Sequence, residues 1–146
     1  MNLVRIQRSL TLPNDVSTIP QLNEFIDSFC EEAGIGMEKT MSLNLALEEA
    51  VVNVMDYAYP KGTAGSVSVD VRTDADGIVF VITDNGIPFD PTAMKDADTT
   101  LPLEERSIGG LGIFLTRQIM DDISYERSNG RNILTLKKNI NNESKQ

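Results

Sequence analysis

The apolar residues of this chain fall into two rhythms. Leu22, Phe25, Ile26, Phe29, Cys30 and Ala33 recur at i, i+3, i+4, i+7, i+8 and i+11, one stripe along a helix. Thr18 and Pro20 predict its start, because a first-turn proline gives up only an N–H that has no helical partner. Gly34 and Gly36 predict its end. A second helix is expected from Glu38 to Tyr59, stopped by Pro60. Met41, Leu43, Leu45, Leu47, Val51, Val52, Val54 and Met55 make it apolar on most sides, the pattern of a buried helix. A third helix opens at Gly109-Gly110-Leu111-Gly112 and carries Ile113, Phe114, Leu115, Ile119 and Met120.

Elsewhere the period drops to two. Val4, Ile6 and Leu10 alternate in part over residues 3–10, and Val67, Val69 and Val71 alternate cleanly with polar neighbours, as half-buried strands do. Asp74-Ala75-Asp76-Gly77 is a hairpin connection. The unbroken run Ile78-Val79-Phe80-Val81-Ile82 predicts a central strand covered on both faces, ending at Thr83-Asp84-Asn85-Gly86. Asn129-Gly130 between two alternating runs marks a final hairpin. Residues 87–108 have no clear period, and a loop of that length in a compact domain is functional or mobile.

The order is β-α-α-β-β-loop-α-β-β. It predicts an α+β fold, a two-layer α/β sandwich with a mostly antiparallel sheet and helices on one face. The chain length of 146 residues suits one domain, here expected over 1–139 with a flexible tail at 140–146.

Composition narrows the chemistry. Thirteen Lys and Arg against 22 Asp and Glu give a net charge of −9, which disfavours nucleic-acid backbones and anionic membranes as partners. No apolar run reaches the roughly 20 residues of a membrane span, and Arg5 and Arg8 interrupt the N-terminal pattern where a signal peptide would be apolar. A cytoplasmic location is the expectation. The single cysteine, Cys30, lies on an apolar helix face and reads as core. There is no histidine, so catalytic triads built on histidine, His-containing zinc sites and autophosphorylation on histidine are excluded.

Three features could carry chemistry. Glu49 and Asn53 are four residues apart on the second helix and so share a face. An amide oxygen is a hard ligand suited to Mg²⁺, with a general base one turn away; the alternative is a plain solvent face. Asp84 stands where the most apolar strand opens into a loop. A carboxylate there accepts from the exocyclic amino group of adenine and rejects guanine, whose oxygen would face it acceptor to acceptor; the alternative is a turn in which Asp and Asn bond their own backbone. Gly109 to Gly112 open a helix, where free N–H groups and missing side chains suit a phosphate, although a glycine-rich turn alone is a weak signal.

Together, in this order and spacing, the three resemble the GHKL ATP-binding superfamily, which includes gyrase, MutL and histidine kinases. Glu49-Ala50-Val51-Val52-Asn53 is similar to its E-x-x-x-N box, Asp84-Asn85-Gly86-Ile87-Pro88 to its D-x-G-x-G box except at the last position, and Gly110-Leu111-Gly112 to its glycine box. The small size, Asn85 to Pro91, Gly109 to Leu115 and the hairpin Asn129 to Leu136 look most like the anti-sigma-factor serine kinases of bacterial partner-switching systems.

The resemblance implies a Bergerat-type ATP-binding fold with ATP and Mg²⁺ as cofactors. It implies that Asp84, with Gly86 in its box, reads adenine, that Asn53 holds Mg²⁺ and that Gly110, Leu111 and Gly112 meet the phosphates. Residues 89–108 would form a lid, Arg106 would reach the terminal phosphate, and Thr135 would touch the adenine shell. Glu49 would take the proton of a Ser or Thr hydroxyl on a small antagonist protein, with a sigma factor bound in alternation and a homodimer as the assembly. The alternative is an ATP-dependent protein-binding module without kinase activity. Pro88 in place of the box's second glycine, and Tyr57 where many relatives have histidine, depart from the pattern.

Overall fold

The computed structural model describes residues 3–93 and 113–140. Five strands form one antiparallel sheet in the order β1-β2-β3-β5-β4: β1 (Gln7–Pro13), β2 (Ser66–Thr73), β3 (Gly77–Asp84), β4 (Asp122–Ser128) and β5 (Arg131–Asn139). Helices α1 (Ile19–Ala33), α2 (Met37–Tyr57) and α3 (Phe114–Ile119), with short 3-10 turns at Val16–Thr18 and Pro91–Ala93, complete the described elements. The two-layer α+β architecture is the one the element order predicts.

Local chemistry fixes the helix ends. Pro20 sits in the first turn of α1, and Gly34 ends it at φ 84°, a left-handed conformation that glycine adopts without a Cβ clash. The α1 stripe is buried, with Phe25 alone half-covered. In β2, Val67, Val69 and Val71 point to the core, matched in register by Ile82 and Phe80 of β3 and then by Leu134 and Leu136 of β5. The last hairpin turns at Asn129 (φ 53°) and Gly130 (φ 76°), two positive dihedrals that match the strand twist.

Four sequence expectations need correction. The first strand runs from Gln7 rather than residue 3, because the Thr73 hydroxyl takes the place of a ladder partner: it accepts from Ile6 N at 3.0 Å and donates to Val4 O at 2.9 Å. The β3 run is central but unequally covered: Ile78, Phe80 and Ile82 are buried, while Val81 and Thr83 on the other face are half-exposed. Val79 on that face is buried too, between Arg72 and Lys137 in register. The α2 helix is not buried all round, since Met37, Met41 and Leu45 are 79%, 63% and 51% exposed. Ile140, assigned to the tail, is buried and donates its N–H to Asp76 O; residues 141–146 lie outside the described residues.

Candidate active site

Helix α2 links the elements that carry the three motifs. At its C-terminal end Gly86 crosses so close that a Cβ there would lie 2.1 Å from Ala58 O. Ile87 N donates to that same oxygen at 2.7 Å. Nine residues earlier, roughly 14 Å along the axis, Glu49 meets the start of α3. Asn53 lies between, one turn beyond Glu49.

Asp84 ends β3 on the helix-facing side and is 3% exposed. Its Oδ1 accepts from Gly86 N and from Asn132 Nδ2, both at 2.8 Å. Oδ2 has no hydrogen-bond partner among the described residues. Burial pushes the Asp84 carboxyl above its ordinary range, opposed by the N–H bonds from Asn132 and Gly86 and by the charge of Arg127. Arg127 also donates to Gly86 O at 2.8 Å.

Asn132 is the residue that the sequence reading missed. Its second amide hydrogen goes to Ile87 O at 2.8 Å, and its Oδ1 accepts from Phe89 N at 3.1 Å and from the Tyr125 hydroxyl at 2.5 Å. All four bonding positions of the amide are used. The signal available in the sequence was phase: Asn132 shares the core-facing alternation of Leu134 and Leu136, a place for a polar side chain only if it is paired. Thr135 takes the opposite phase, between Val81 and Ser124. The sheet separates it from Asp84, so it is not brought to the site as expected.

Glu49 is half-buried. Its Oε1 accepts from Thr116 N at 2.8 Å and from Thr116 Oγ1 at 2.9 Å, and its Oε2 from Leu115 N at 3.2 Å. A carboxylate on α2 thus caps α3 from outside, satisfying N–H groups that a helix start leaves without partners. Thr116, also missed from sequence, is fully buried, and its hydroxyl reaches Ala46 O at 2.8 Å. Asn53 is 8% exposed, and its Nδ2 donates to Glu49 O at 2.9 Å, which makes Oδ1 the acceptor end of the amide. At Glu49 and Asn53 the line is therefore not a plain solvent face, while Asp56 farther along it is exposed.

The described start of the expected lid is anchored. Phe89 stacks on Tyr57 with ring centroids 5.5 Å apart, Pro91 is buried and Arg117 donates to Thr92 O at 2.7 Å. Burial and the neighbouring Asp56 carboxylate raise the Tyr57 hydroxyl's pKa. Arg106, Gly110, Leu111 and Gly112 lie outside the described residues, as does the rest of the lid.

Comparison with known proteins defines the class. The profile of the histidine kinase-like ATPase domain matches residues 12–138, and the chain belongs to that family of ATP-using domains. Within it, the chain is similar to the serine-protein kinase RsbW of Halalkalibacterium halodurans, 27% identical over 77% of this chain and 75% of that protein. It is similar also to the serine/threonine-protein kinase BtrW of Bordetella bronchiseptica, 32% identical over 65% of this chain and 67% of that protein. In fold it resembles the crystal structure of the RsbU and RsbW domains of a Mycobacterium tuberculosis protein, with a TM-score of 0.65 at 14% identity over 92% of this chain. This chain corresponds to 32% of that longer one.

Proposed function

We propose that this chain is an ATP-dependent protein serine/threonine kinase and anti-sigma factor, which phosphorylates a small antagonist protein in a bacterial partner-switching pathway. The observation that carries the reading is the Asp84 carboxylate. It is buried, fixed through Oδ1 by Asn132, and leaves Oδ2 to accept from a ligand amino group. A buried acceptor discriminates strongly, because a ligand that offers it another acceptor leaves both unpaired. Adenine satisfies it and guanine does not. The names of the similar kinases support the same activity.

Asn53 would hold Mg²⁺ through Oδ1. Magnesium is usually bound by one or two protein groups together with phosphates rather than by a protein cage, and among the described residues no three His, Cys, Asp or Glu side chains form one. Bound Mg²⁺ supplies neutralisation of phosphate charge. The N–H groups of Gly110, Leu111 and Gly112 and the Arg106 guanidinium would serve the phosphates.

Glu49 stands beside the start of α3 as the base. The acceptor hydroxyl oxygen forms a bond to the γ-phosphorus while the bond from that phosphorus to its bridging oxygen breaks. ADP leaves with the electron pair, and the hydroxyl proton passes to Glu49. A cytoplasmic homodimer is the proposed state; among the described residues no helix is long and apolar enough to cross a membrane. The bonds from α3 to Glu49 also give footing to a second reading, in which Glu49 serves only as a cap and ATP sets affinity for a protein partner.

Thermal melting and phosphate transfer test the proposal. Mg·ATP at 100 times its Kd adds about 2.7 kcal/mol, or roughly 5–10 °C for a domain of this size, while Mg·GTP adds nothing and Asp84→Asn abolishes the ATP shift. Labelled γ-phosphate then appears on a Ser or Thr of the antagonist with the wild type and is lost with Glu49→Gln. An ATP shift without transfer to any antagonist leaves the binding-module reading; no shift removes both.

A further inference from the structure

We infer that Thr116 is a positioning residue for Glu49, and that it selects Oε2 as the atom that accepts the attacking hydroxyl's proton. The inference rests on Glu49 being the base. A carboxylate has about four lone-pair positions, two on each oxygen. Thr116 occupies both sides of Oε1: its N–H donates at 2.8 Å, and its hydroxyl oxygen, whose one hydrogen is shared between Glu49 Oε1 and Ala46 O, lies at 2.9 Å. Leu115 N fills one position on Oε2 at 3.2 Å. Among the described residues, one acceptor position is left open to an incoming hydroxyl, and it is on Oε2.

The placement of Thr116 is itself fixed. Its side chain is fully buried, so a hydroxyl there needs a partner. Its single hydrogen has two acceptors in reach, Glu49 Oε1 at 2.9 Å and Ala46 O at 2.8 Å. Ala46 and Glu49 are three residues apart on α2 and present both acceptors on one face. The hydroxyl therefore bridges the turn of α2 that carries the base, and it prevents the carboxylate from rotating its two oxygens past each other. A hydroxyl group approaching from the acceptor side meets Oε2, with the adjacent Leu115 N–H as the second donor on that atom.

Phosphate release from Mg·[γ-³²P]ATP to water tests the assignment, because water loses its proton to the same base as a Ser or Thr hydroxyl does. Thr116→Val keeps the volume and the backbone N–H but removes the O–H. The expected result is a fall in kcat of about tenfold, with KM for ATP unchanged, and recovery to near the wild-type rate in Thr116→Ser. A readout independent of ATP is the hydrogen exchange of the Leu115 amide in the ligand-free protein. It speeds up several-fold in Thr116→Val and stays at the wild-type rate in Thr116→Ser. Should Thr116→Val fail to fold, Thr116→Ala against Thr116→Ser makes the same comparison. Wild-type kcat and wild-type Leu115 exchange in the valine variant overturn the assignment, as does equal impairment of the serine and valine variants, which would make the methyl group the part that matters. Glu49→Gln separates the two levels: if it abolishes release while Thr116→Val is normal, Thr116 alone is wrong. If Glu49→Gln releases phosphate at the wild-type rate, the base reading falls and the assignment with it; if the wild type releases none to water, transfer of label to the antagonist is read in the same variants, and equal transfer by wild type and Thr116→Val overturns the assignment.

Discussion

Asn132 and Asp84 are paired side chain to side chain across neighbouring strands, Nδ2 to Oδ1 at 2.8 Å, both almost wholly buried. The same amide holds Ile87 O and Phe89 N. One residue on the last strand thus sets the orientation of the buried carboxylate and the path of the chain that leaves it.

Replacing Asn132 by leucine keeps the branched shape, with bulkier methyl groups, and removes every one of those bonds. A hydrogen bond to a charged group is worth about 1.5–3 kcal/mol, so ATP affinity is expected to fall about 10-fold to 100-fold. Calorimetric titration with Mg·ATP reads this directly. An unchanged Kd would mean that Gly86 N alone orients Asp84.

The raised pKa of Asp84 makes a statement about stability. Its folded value lies above the unfolded 3.8 because burial disfavours the charge. Between the two values the native state binds more protons than the unfolded state, so stability falls as pH rises through that window. At neutral pH the ionised group is a net cost to the ligand-free fold. Asp84→Asn keeps the shape without the charge and is expected to raise the urea midpoint at pH 7. The gain shrinks as pH falls through the folded pKa, where Asp84 itself is neutral. A urea midpoint lowered at pH 7 would show that the charge is stabilised by its donors more than burial disfavours it.

Gly86→Ala puts a Cβ within 2.1 Å of the Ala58 carbonyl oxygen. That oxygen is backbone and already bonded to Ile87 N, so the loop must move instead. Overpacking of this kind costs about 1–3 kcal/mol. Urea unfolding should show that loss, and the displaced Asp84 should bind ATP more weakly. Retention of both would mean that the loop shifts without disturbing the carboxylate.

Features with a local cause could be read from the chain. The α1 stripe, Gly34, the Asn129-Gly130 turn and the Glu49–Asn53 face all follow from periodicity or from residues within a few positions. What could not be read depends on distant partners. Asp84 and Asn132 are 48 residues apart in sequence, and Glu49 and Thr116 are 67 apart. The case of Thr135 has a related cause: the resemblance puts it in the adenine shell, but strand phase decides the face, and β5 gives the inward phase to Asn132, Leu134 and Leu136. The first strand was placed too early because Val4 and Ile6 have the right alternation, while the ladder to β2 begins only at Gln7. The exposed Met37, Met41 and Leu45 show that apolar residues on all sides of a helix need not mean burial on all sides.

The 21-residue α2 is bonded to α3 at Glu49 and to the Asp84 loop at Ala58. On the proposed function, a nucleotide at the Asp84 end and a protein at the Glu49 end would bear on one helix, and any change that either makes in its placement would link their binding energies. Linkage is reciprocal: the factor by which nucleotide changes affinity for the protein partner equals the factor by which that partner changes affinity for nucleotide. A partner switch built on that helix would need no separate sensor, because the occupancy of either end would be expressed in the affinity of the other.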